Sequence, residues 1–88
     1  MKTFKDITFK QHKLGKGNIQ GLLMLDSGNE LSIVAGPGMY CTPKEQHSSP
    51  DSFSSFEVAV FDKEGEMMGD PTGWQSRDNI NTLIKLLS

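Results

Sequence analysis

Apolar and polar residues alternate through most of this chain and switch to a helical period only at its end. In "FKDITFK", Ile7 and Phe9 share one face of an extended segment, with Asp6, Thr8 and Lys10 on the other. That pattern predicts a first strand, and its lysines suit a sheet edge, where they discourage pairing with another chain. The glycine-rich "KLGKGN" reads as a turn. "IQGLLMLD" then places Ile19, Gly21, Leu23 and Leu25 on one face, with Leu22 and Met24 opposite, so partial cover is expected on both faces. "DSGN" offers Gly28 or Asn29 for a positive φ, and "ELSIVAG" alternates Leu31, Ile33 and Ala35 against Ser32 and Val34, which predicts a hairpin.

Further along, "FEVAVFD" sets Phe56, Val58 and Val60 against Glu57, Ala59 and Phe61, and "DKEGE" turns the chain into a short strand at "EMMG". The period then changes. Ile80, Leu83, Ile84 and Leu87 fall at i, i+3, i+4 and i+7, the stripe of an amphipathic helix. Ser76 is a natural N-cap, Asp78 suits the positive end of the helix dipole and Lys85 the negative end. The predicted fold is α+β, an antiparallel sheet of four to five strands with the C-terminal helix packed on one face. Trp74, just before the cap, is expected in the core beneath that junction.

Between the two hairpins lies "GPGMYCTPKEQHSSPDSFSS", residues 36–55, half of it Gly, Pro or Ser. Irregular segments of that length in small domains are functional or disordered, so this loop is the first place to look for a site. The 88 residues make one domain, 1–88, near the lower limit for a self-sufficient core, which favours a homo-oligomer. No signal-peptide pattern or membrane-length apolar run is present, and one cysteine supports no internal disulfide, so a cytoplasmic protein is expected, without membrane association.

Charge narrows the function classes. The first sixteen residues carry a net +4 and the rest −6, a poor balance for binding duplex nucleic acid but enough for a local basic edge. Cys41, Glu45 and His47, with His12 elsewhere, match no metal-ligand spacing, and no metal or cofactor is expected. The acidic residues Asp62, Glu64, Glu66 and Asp70 lack the order of a calcium loop. "GKGN" lacks the spacing of a phosphate-binding loop of nucleotide hydrolases. No nucleophile and base pair, carboxylate pair or cofactor fingerprint is found, so a non-enzymatic protein is expected.

Three segments, "LDSGNELSIV", "FEVAVFDKEGE" and "GWQSRDNINTLI", resemble in order and spacing a set of small uncharacterised proteins of tailed bacteriophages. The resemblance covers about the last two thirds of the chain. It implies a phage origin, action in the host cytoplasm, and an accessory role in binding host components, including evasion of host defence. It implies no reaction.

Two functions are carried forward. In the first, the protein sequesters a small anionic ligand, a host signalling nucleotide, with Lys10, Lys13 and Lys16 supplying charge, Gly36 and Gly38 backbone donors, and Tyr40 a stacking face. "AGPGMY" also reads as a plain tight turn. In the second, it is a protein–protein inhibitor or adaptor that docks on a host protein through the 36–55 loop, with Tyr40, His47 and Phe53 as contacts. Phe53 either anchors the loop or presents itself to that partner.

Overall fold

The computed structural model describes residues 2–11 and 17–88. Five strands, β1 (Phe9–Gln11), β2 (Ile19–Met24), β3 (Glu30–Ala35), β4 (Phe56–Phe61) and β5 (Thr72–Gln75), form one antiparallel sheet in chain order, followed by helix α1 (Arg77–Leu87). Each strand pairs with its sequence neighbour. The α+β expectation of sheet plus C-terminal helix holds.

The central register follows from the alternation. Gly21 stands opposite Ile33, Leu23 opposite Leu31, Leu31 opposite Val60 and Ile33 opposite Val58, so one face of β2, β3 and β4 is continuously apolar. The turn between β2 and β3 uses Gly28 at φ +95°. No side chain could be added at Gly21, since a Cβ there would lie 2.4 Å from Ile7 Cγ2.

Two predicted strands are corrected. The stretch before β1 is a 3₁₀ turn at Phe4–Asp6, because the Thr3 amide donates to Asp6 Oδ2 at 2.8 Å and closes it. Phe4 and Ile7 both reach the core that way, which a straight strand would not allow. "EMMG" contributes only a single bridge, Phe61 to Met67, and the fifth strand is "TGWQ". Asp62 Oδ1 accepts from the amides of Glu64 and Glu66, Gly65 takes φ +84°, and Gly69 at φ +76° turns the chain away before β5 rejoins β4.

Helix α1 covers the apolar face through Ile80 and Ile84, both fully buried. Ser76 caps it by accepting from the Asn79 amide, as its sequence position predicts. The 36–55 loop is the second cover. It is packed rather than free: Phe53 is 2 % exposed, Cys41 equally buried, and Thr42 bridges Ser55. Arg77 clasps loop and helix together, donating from Nη1 to the Phe53 carbonyl and from Nη2 to the Pro50 carbonyl, each at 2.7 Å. Its guanidinium lies 5.1 Å from the Phe4 ring and 5.2 Å from the Phe56 ring. Charged hydrogen bonds and ring stacking of this kind are the stronger ones available to a side chain.

The opposite face of the sheet is bare among the described residues. Leu22 and Met24, expected to be partly covered, are about half exposed. No described helix is long and apolar enough to cross a membrane.

Candidate ligand-binding site

At the β5 corner of that bare face, the chain brings together Tyr40, Lys44 and Trp74. Gly73 makes the approach possible: a Cβ on it would lie 2.5 Å from Tyr40 Cβ. The Trp74 amide donates to the Tyr40 carbonyl at 2.8 Å, and the Tyr40 amide donates to Glu57 Oε1 on β4 at 3.0 Å. Pinned at both ends, the Tyr40 ring stacks on the indole with centroids 5.2 Å apart and planes tilted by 31°. Lys44 Nζ sits over both, 5.1 Å from the tyrosine ring and 5.6 Å from the indole.

Trp74 overturns its expected place in the core. It is 55 % exposed, beside Tyr40 at 54 %. Its φ of +52° lies in the left-handed region, the one non-glycine residue there among those described. Such a conformation costs on the order of 1–2 kcal/mol. The pairing of β4 with β5 is irregular between Phe56 and Val58, and this bulge rotates the indole out of the sheet instead of into it. A large ring held in solvent by strained backbone is the sort of departure from folding economy that accompanies binding.

The other expected site residues are distributed differently. Gly36 is no anion donor: its amide donates to buried Cys41 Sγ at 3.3 Å, and its carbonyl accepts from Met39, so "GPGM" is a tight turn. Gly38 (φ +80°) serves that turn on the exposed side. Lys10 is exposed on β1, in a cross-strand row with Gln20, Val34 and Glu57. Three strand spacings, about 14 Å, separate it from Glu57, so within one chain it does not join Tyr40. Lys13, Lys16 and His12 lie outside the described residues.

Phe53 is a core anchor and not a contact for a partner. His47 is half-buried, edge-on to Phe53 with centroids 5.4 Å apart, its Nε2 3.3 Å from Glu45 Oε1. Cys41 Sγ donates to the Pro43 carbonyl, and the described residues hold no cluster of three metal-ligating side chains. A polar cavity of about 520 Å³ lies between β2 and the loop, lined by Gln11, Asn18, Gln46 and His47 among others. The unpartnered Asn18 Oδ1 at its wall is sealed against Gly36, where a Cβ would come within 2.2 Å of it, and offers nothing to a ligand.

Lys44 and Trp74 escaped the sequence reading. Lys44 is a lone cation in a serine-rich loop, and nothing in local spacing places it over Tyr40. The Gly73-Trp74 pair did carry a signal, since a glycine beside an aromatic in a strand marks a close backbone approach. Compared with family models, curated proteins and solved structures, the chain matches none of them.

Proposed function

We propose that this chain is a small non-enzymatic binding protein whose ligand is a nucleotide, stacked on the Tyr40–Trp74 pair with its phosphate at Lys44. The observation that carries this reading is the exposed aromatic pair under one lysine, held by a left-handed tryptophan backbone. Stacking a base on an aromatic ring contributes about 1–3 kcal/mol, tolerates any base, and leaves identity to the phosphate and sugar contacts. An ammonium is a suitable point charge for the phosphate. The resemblance to tailed-phage accessory proteins supports a host signalling nucleotide as the ligand, and thereby a role in defence evasion inside the host cell.

Isothermal titration calorimetry with a panel of linear and cyclic nucleotides tests it. Binding that is lost in Tyr40→Ala and weakened in Lys44→Ala supports the proposal. No heat above the buffer blank with any member of the panel ends it.

The adaptor reading survives only in altered form. With Phe53 in the core, a protein partner would have to use Tyr40 and Trp74, residue types that dominate interface hot spots. A host-protein pull-down that returns the same partner with Tyr40→Ala and Trp74→Gly as with the native chain would remove it.

A further inference from the structure

We infer that the bare face of the sheet is where a second copy of this chain packs, face to face about a two-fold axis running along the strands between β2 and β3, with Lys10 of each copy against Glu57 of the other. The face is unlike an ordinary solvated one. Seven large apolar side chains remain exposed among the described residues, and five of them, Leu22, Met24, Tyr40, Met67 and Trp74, belong to this face or its β5 corner. Val34, Ala59 and Phe61 continue the patch at intermediate exposure. Clustered exposure of that kind marks an interaction surface.

Charge selects the occupant. Lys10, Gln20, Val34 and Glu57 form one cross-strand row, with the positive charge on β1 and the negative one on β4. An axis between β2 and β3 lays β1 of one copy over β4 of the other, so the row meets itself reversed and both ends become unlike pairs. That row is therefore complementary to itself, as an isologous two-fold contact requires. Stacked sheets rotate by about 30°, a displacement that a flexible lysine stem absorbs. The middle row, Leu22, Ser32 and Ala59, has Ser32 buried and bonded to Gln20, and it lies between the Lys10–Glu57 row and an end row of Met24, Glu30 and Phe61, in which Glu30 of each copy faces Met24 of the other.

Three six-residue strands flanked by the three-residue β1 give a flat footprint of at most about 19 by 20 Å, which is small for a stable interface. The dimer is accordingly expected to be reversible, with Tyr40, Trp74 and Met67, on the β5 side of β4, lying beyond the edge strand β1 of the other copy. Glu57 also holds the Tyr40 amide, so the pairing delivers the partner's Lys10 beside the aromatic platform. That last consequence rests on the nucleotide reading; the dimer does not.

Sedimentation equilibrium without nucleotide tests the dimer on the native chain, on Lys10→Glu, on Glu57→Lys, and on an equimolar mixture of the two variants. The native chain should approach twice 9.7 kDa with rising concentration. Each variant alone should be monomeric, because like charges then face each other at both contacts. The mixture should associate again, since every contact in the mixed pair is unlike. Leu22→Lys, a substitution at an exposed position, should also be monomeric and needs no change at Glu57. A native chain that stays monomeric, a native dimer indifferent to all three substitutions, or folded variants that fail to reassociate on mixing would each overturn the inference. Failure here leaves nucleotide binding untouched, because no ligand is present.

Discussion

Trp74 adopts a backbone conformation that glycine takes without cost, so its substitutions invert the usual order. In a strand, alanine normally outperforms glycine. Here Trp74→Gly is expected to be more stable than Trp74→Ala by about 1 kcal/mol, measured by urea unfolding followed by far-ultraviolet circular dichroism. Both variants should lose nucleotide binding in calorimetry. A residue whose removal relieves strain while abolishing binding is retained for the binding. Its misplacement by sequence reasoning has a physical cause: a lone tryptophan beside a helix cap is usually core, and an unfavourable φ in a non-glycine residue is imposed by tertiary contacts, here with Tyr40 and Gly73, that local sequence does not encode. The Tyr40 side of the site was legible, as an aromatic following a glycine turn.

Among the elements, β2, β3 and β4 were readable because each buries one face and period-two alternation then has only one register. The ends were not. Phe4–Asp6 folds back because of a local Thr3 to Asp6 hydrogen bond, and β5 contains a single large apolar residue, which points away from the core. The 36–55 loop was identifiable as irregular, with Phe53 as its anchor one of two readings, whereas nothing among its serines and prolines marked Cys41 as a core residue. Deleting 42–54 is therefore expected to abolish the cooperative thermal transition, and not to yield a folded, loop-less protein. The Arg77 clasp makes a finer test. Arg77→Ala strands the Phe53 and Pro50 carbonyls and should cost about 2–4 kcal/mol in urea unfolding, whereas the capping change Ser76→Ala should cost only about 1 kcal/mol. Arg77→Lys should recover less than half of the arginine's effect, because an ammonium has no planar fork to reach both carbonyls while stacked on two rings.

At the scale of the whole molecule, a small core and a bare apolar face point the same way. If the native state is a dimer, association adds to stability by mass action, and the melting temperature of the native chain should rise with protein concentration while that of Lys10→Glu stays fixed. Nucleotide affinity should fall as salt is raised, since Lys44, the proposed phosphate contact, is exposed and its charge is screened. The position of the single tryptophan also determines what light can report about this protein. Its indole is already half-exposed in the native state, so the colour of its emission should shift less on unfolding than that of a buried tryptophan. In the proposed binding mode the same ring is the stacking surface, so a bound base should quench that emission directly. Fluorescence is thus a weak reporter of folding here and a direct one of occupancy of the proposed site.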